Sequence, residues 1–153
     1  MSSPQSLTPL PRLSALGQAV WVDFLSRESI HGGRLQELLD RDAVVGATSN
    51  PSIFQKAMTS GDAYEEQLRE LRKQDESQGR DEDGPEVAKR TFWALAERDI
   101  QDACDLFAPI FDAGLGRDGY VSLEVDPGLA YDSLATFREA MRLHEAVDRK
   151  SVV

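Results

Sequence analysis

The chain has 153 residues, of which 41% are hydrophobic and 29% are charged, a composition typical of a globular protein with one sizeable core. Its 17 Lys and Arg against 27 Asp and Glu give a net charge of −10, which argues against nucleic acid or an anionic membrane as a partner. The single cysteine, Cys104, excludes an internal disulfide and is expected in the core. Without a secretory signal or an apolar run of about 18 residues, a cytoplasmic location is expected.

The first third of the chain alternates helical and strand patterns. Residues 1–16 are a leading segment in which leucines spaced by three predict a short helix. An apolar strand is predicted near 19–24, a short amphipathic helix at 34–39, and a second strand near 43–48. Asn50-Pro51 then predicts a helix start, since Asn caps free amides and Pro has none to satisfy.

Helical patterns dominate the centre of the chain. One helix should run through Phe54 and another should cover 63–73, before an acidic run at 75–84 that is interpreted as a solvated loop. A long helix is predicted from Glu86 to Phe107, where Pro109 should end or kink it. A third strand near 119–125 and a helix at 129–147 complete the pattern of a parallel α/β protein.

Strand alternation predicts where the polar residues point. One face carries Val, Leu, Phe and Ala for packing on helices. The other face gathers Asp23, Thr48, Asn50 and Glu124 at the carboxyl ends of the strands, where active sites of this class are built. The two carboxylates form a candidate acid/base pair.

Structural roles compete with this interpretation. Asp23 could start a turn, Asn50 could cap a helix, and Glu124 could belong to an ion pair. His31 and His144 have no neighbouring metal ligands in the sequence.

The segment Gly46-Ala47-Thr48-Ser49-Asn50-Pro51-Ser52-Ile53-Phe54 is very similar to the transaldolase pattern in which a strand ends in Thr-Ser/Thr-Asn-Pro-Ser/Thr. Trp21-Val22-Asp23 and Val121-Ser122-Leu123-Glu124-Val125 resemble the first and third barrel strands of that family. The chain therefore resembles the amino-terminal part of its bacterial branch. The resemblance implies the first three βα units, with a leading helix, of a (β/α)8 barrel, a fold of about 250 residues.

The resemblance also implies a function. Transaldolases move a dihydroxyacetone unit from a ketose phosphate to an aldose phosphate in the pentose phosphate pathway, through a lysine Schiff base and without metal or organic cofactor. Glu124 would relay protons through a water and Asp23 would assist proton transfer during carbon–carbon cleavage. Thr48 and Asn50 would hold substrate hydroxyls.

The lysine of the family lies on a fourth barrel strand, after the point where this sequence departs from the family pattern. Residues 17–147 correspond to the partial barrel, whereas 148–153 are interpreted as a tail outside the family pattern, for which an assembly artefact is one hypothesis. Lys150 falls about five positions too early for the nucleophile, so the chain alone is expected to be inactive. A related lysine-dependent aldolase, such as a fructose-6-phosphate aldolase, and a non-catalytic binding or regulatory protein are the alternatives.

Overall fold

A computed structural model of the chain describes residues 9–59, 62–80 and 84–149. Most of the predicted tail, including Lys150, lies outside them. The strands are β1 (Val20–Val22), β2 (Val44–Thr48) and β3 (Tyr120–Ser122). The helices are α1 (Pro9–Ser14), α2 (Arg27–His31), α3 (Arg34–Asp42), α4 (Pro51–Met58), α5 (Glu65–Ser77), α6 (Pro85–Ala113) and α7 (Ser133–Val147), and a 3-10 turn spans Pro127–Leu129.

The three strands form one parallel sheet in the order β1-β2-β3. Trp21, Gly46 and Tyr120 lie side by side across it, as do Val22, Ala47 and Val121 in the next row. Residues that are paired in this way point to the same side of the sheet. The register therefore confirms the predicted parallel α/β arrangement and its division into two faces.

The face with Ala47 and Val121 is covered by helices, and both side chains are completely buried. Helix α6 lies along this face and contributes the fully buried Ile100, Ala103 and Phe107 to the same core. Its buried side chains recur at helical spacing, so α6 presents to the core a stripe that is apolar except for Asp99. Cys104 is buried in this core, which confirms the expected core position.

A buried charged cluster joins the segment after β1 to α5 and α6. The Arg27 guanidinium lies 2.7 Å from the Asp99 carboxylate, which is fully buried, and 4.4 Å above the centre of the Tyr64 ring. The Tyr64 hydroxyl donates to Asp99 at 2.7 Å and accepts from the Arg27 amide at 3.1 Å. Burial raises the pKa of both Asp99 and Tyr64, while Arg27 opposes the rise. The cluster locks the chain that leaves β1 against the helical layer.

The expected solvated loop in the acidic run is wrong, and of the two outcomes expected at Pro109, an end or a kink, the helix end does not occur. The acidic run does not start as a solvated loop, because α5 continues to Ser77 and buries Asp75. Arg90 of α6 donates to Asp75 at 2.6 Å, and this bond lowers the pKa of the carboxyl. Helix α6 also runs past Pro109 to Ala113. Pro109 is exposed, so water can satisfy the carbonyl that loses its partner there.

Element ends differ from the predictions as well. Helix α2 lies in a segment for which no helix was predicted, and it begins at a capping box formed by Ser26 and Ser29. The third strand ends at Ser122, three residues before its predicted end. Helix α7 begins after Asp132, whose side chain accepts from the Ala135 amide, rather than at residue 129. Within the part of the chain described above, no helix is long and apolar enough to cross a membrane.

Candidate functional site

Asp23 and Thr48 meet at the carboxyl ends of β1 and β2. The register places Val22 beside Ala47, so the residues that follow them lie side by side. The Thr48 hydroxyl donates a 2.5 Å hydrogen bond to the Asp23 carboxylate. This bond orients one carboxylate oxygen, while the exposed side chain of Asp23 remains accessible from solvent.

Asn50 caps α4, which confirms the structural role that competed with substrate binding. Its side-chain oxygen accepts hydrogen bonds from the amides of Ser52 at 3.1 Å and Ile53 at 3.3 Å. Both of these hydrogen bonds end on the side-chain oxygen. The NH2 group of the same side chain has no partner among the described residues. Asn50 can therefore cap the helix and donate to a ligand at the same time.

Glu124 lies two residues beyond the end of β3 and is exposed. Within residues 9–59, 62–80 and 84–149, its carboxylate makes no hydrogen bond or ion pair. The carboxylate therefore lies beyond the strand and is not buried between the apolar residues Leu123 and Val125. The competing ion-pair interpretation also finds no support in the described chain.

Ser49 is a site residue that sequence reasoning missed. Its side chain is only 2% exposed, and its hydroxyl accepts a hydrogen bond from the Glu124 amide at 3.3 Å. Its own amide donates to the Ser122 carbonyl at 2.9 Å. A polar residue between Thr48 and Asn50, on the core-facing side of the alternation, was the available signal.

Trp21 lies on the same face of the sheet as Asp23, two rows below it. Its ring covers Gly46 so closely that a β-carbon added there would come within 2.3 Å of a ring atom. Trp21 as a whole residue is 38% exposed. Gly46 is thus required for an aromatic floor beneath the polar residues.

The segment after Glu124 is tied to helix α6. The Lys89 ammonium lies 2.7 Å from the Asp126 carboxylate, and the Gly128 amide donates to the same carboxylate at 2.8 Å. These bonds, that from Lys89 above all, hold the pKa of Asp126 below its ordinary value. Lys56 and Lys73 likewise lie on helices, α4 and α5.

One face of the sheet thus carries four polar groups at the carboxyl ends of neighbouring parallel strands, above an aromatic ring. They are two carboxylates, a threonine hydroxyl and a carboxamide. Such a set can hold polyhydroxylated ligands and transfer protons. No group of three or more His, Cys, Asp or Glu in the described residues could hold a metal ion. His31 instead lies at the end of α2, 2.9 Å from Asp102.

Comparison with known proteins assigns the chain to a family. The family model described as transaldolase/fructose-6-phosphate aldolase matches residues 20–153. A transaldolase from Parafrankia sp. is 48% identical over 144 residues, which cover 94% of this chain and 36% of that protein. Transaldolases from Thiobacillus denitrificans and Kocuria rhizophila are 43% and 42% identical, over 36% and 37% of their lengths.

The chain therefore spans little more than a third of the length of these curated relatives. The family model nevertheless covers most of the chain, including all three strands and every candidate site residue. This chain belongs to the transaldolase/fructose-6-phosphate aldolase family.

Proposed function

We propose that the chain supplies the acid/base side of a transaldolase site, which transfers a dihydroxyacetone unit from a ketose phosphate to an aldose phosphate. The observation that carries this proposal is the hydrogen-bonded pair Asp23 and Thr48 on the same sheet edge as Glu124, whose carboxylate has no partner among the described residues. In parallel α/β proteins this edge is where substrates are bound. Family membership supplies the reaction class.

The chemistry divides between a nucleophile and proton-transfer groups. A lysine amine attacks the donor carbonyl and forms an iminium ion, which accepts the electron pair of the carbon–carbon bond that breaks. Forming the iminium expels water, a step that needs a proton donor. We assign this proton transfer to Glu124, acting through a water molecule, because its carboxylate is accessible and is not paired with any residue that the structure describes.

Cleavage of the carbon–carbon bond requires removal of a proton from the adjacent sugar hydroxyl. We assign assistance at this step to Asp23, whose second oxygen is left available by the bond from Thr48. The hydroxyl of Thr48 and the NH2 group of Asn50 then hold substrate hydroxyls. These roles follow the family pattern and agree with the donors and acceptors that each side chain has available.

The nucleophile is proposed to lie in the part of the family's length that this chain does not span. Lys56, Lys73 and Lys89 lie on helices, and Lys89 is already paired with Asp126. The groups that bind the substrate phosphates are assigned to the same unspanned part. A cytoplasmic role in the pentose phosphate pathway is part of the same proposal, with support from the family and from the single, buried cysteine.

Borohydride trapping tests the proposal that this chain supplies the proton-transfer groups but not the lysine nucleophile. The 153-residue chain, incubated with a ketose phosphate and borohydride, should form no lysine adduct. A chimera in which this chain replaces its matched segment of the Parafrankia relative should form the adduct and transfer the three-carbon unit. The intact relative is the control.

Two outcomes would contradict the proposal. An adduct on the 153-residue chain alone would show that its own lysines supply the nucleophile. A folded chimera that forms no adduct and transfers no three-carbon unit, while the intact relative does both, would show that the residues contributed by this chain do not perform the proton transfers. The second outcome would favour a binding or regulatory role.

A further inference from the structure

We propose that Ser49 is a positioning residue for Glu124: its buried hydroxyl replaces a missing backbone acceptor and fixes the point from which the Glu124 carboxylate extends. The inference rests on the proposed function, since it takes Glu124 as the proton-transfer group. It concerns a residue that touches Glu124 through the backbone alone.

The backbone of β2 leaves the sheet where Glu124 still needs an acceptor. In a regular parallel ladder, the bond from the Ser49 amide to the Ser122 carbonyl would be followed by one from the Glu124 amide to the Ser49 carbonyl. The chain instead turns at Asn50 into α4, and the Asn50 carbonyl accepts from the Phe54 amide. The sheet therefore ends before it can provide a backbone carbonyl acceptor for the Glu124 amide.

The Ser49 side chain restores the lost bond. Its hydroxyl accepts from the Glu124 amide at 3.3 Å, and the side chain is only 2% exposed, so water cannot readily take its place. Leaving this partly buried amide without an acceptor would lower the stability of the folded chain. One residue thus holds both Ser122 and Glu124 through its amide and its hydroxyl.

A second tie holds the chain just beyond Glu124. Asp126 is bound by Lys89 of α6 at 2.7 Å and by the Gly128 amide at 2.8 Å. The backbone around Glu124 is therefore fixed on both sides, while its carboxylate has no partner among the residues described. A fixed backbone with an unengaged side chain is the arrangement that a pre-organised proton-transfer group requires.

Hydrogen exchange of the 153-residue chain, followed by NMR, tests this inference without any catalytic reaction. Ser49→Thr keeps the hydroxyl. Ser49→Val introduces a side chain of nearly the same shape as Thr but without a hydroxyl. We expect the Glu124 amide to exchange about fivefold faster or more in the Val variant than in the Thr variant, as expected for the loss of one hydrogen bond. Its backbone order parameter should fall from about 0.85 towards 0.6 in the Val variant.

Two controls separate this local effect from general loosening. The Ala103 amide lies in the core, and its exchange should be the same in the Thr and Val variants. Ser52→Ala removes a nearby exposed hydroxyl that makes no hydrogen bond in the described chain, and it should leave Glu124 unchanged. Equal Glu124 exchange and order parameters in the Thr and Val variants would overturn the proposal, whether or not the chain takes part in sugar transfer.

Discussion

The two faces of the sheet differ in what holds them together. The helix-covered face contains fully buried side chains such as Ala47 and Val121, together with the buried pair Arg27 and Asp99. The opposite face is open, with a partly exposed Trp21 and a Glu124 carboxylate that has no partner in the described part of the chain. Stability should therefore depend mainly on the covered face and chemistry mainly on the open one. The predictions below test this separation.

The largest effect is expected from Asp99→Ala on the covered face. The substitution leaves the Arg27 guanidinium and the Tyr64 hydroxyl without their buried acceptor. The free energy of unfolding should fall by about 3–5 kcal/mol in urea denaturation, which is enough to unfold a marginally stable chain.

Glu37→Gln is the matched control for loss of a carboxylate. Glu37 pairs with Arg34 on the surface of α3, with both side chains largely exposed, so this change should cost less than about 1 kcal/mol. Equal losses for the two variants would mean that the buried cluster does not support the covered face.

An intermediate effect is expected from Gly46→Ala, which forces the Trp21 ring to move. Overpacking of this kind typically costs about 1–3 kcal/mol, and the partial exposure of Trp21 places the expected loss near the lower end. In a Trp21→Leu background the cost should largely disappear, a coupling that a double-mutant cycle in urea measures. A cost of the same size in both backgrounds would exclude the ring contact as its cause.

The smallest effect concerns the tie beyond Glu124. Because Lys89 lowers the pKa of Asp126 in the folded chain, this pair stabilises the fold above the ordinary aspartate pKa. That contribution is lost as the pH falls through the lowered value. NMR titration should show the pKa of Asp126 rising towards its ordinary value in Lys89→Gln. An unchanged Asp126 titration would contradict the assigned cause.

Strand alternation predicted the relation between the two faces because the side-chain period of a strand is set by its backbone. It placed Asp23 and Thr48 on one face, and their hydrogen bond agrees with this. The burial of Asp75 could not be predicted from the composition of its acidic run, because its partner Arg90 belongs to another helix. The burial of Asp99 was not predicted either, although an acidic residue on the apolar face of α6 was a usable signal.

The exposure of Glu124 has a different cause. An apolar, alternating sequence continues to Val125, but β3 pairs only as far as β2 accompanies it. The helix start at Asn50-Pro51 ends β2. The end of the third strand was predicted from its own alternation, without reference to where β2 ends. The length of β3 is thus a property of the pair of strands and cannot be derived from one strand alone.

The central claim is that the open face performs proton transfer without supporting the fold. Its most direct test is Glu124→Gln in the chimera with the Parafrankia relative, with kcat and the free energy of unfolding measured on the same preparation. We expect kcat to fall by about 10² to 10⁴ and the free energy of unfolding to change by less than about 0.5 kcal/mol. An unchanged kcat, or a loss of activity that is matched by a loss of stability, would contradict the claim.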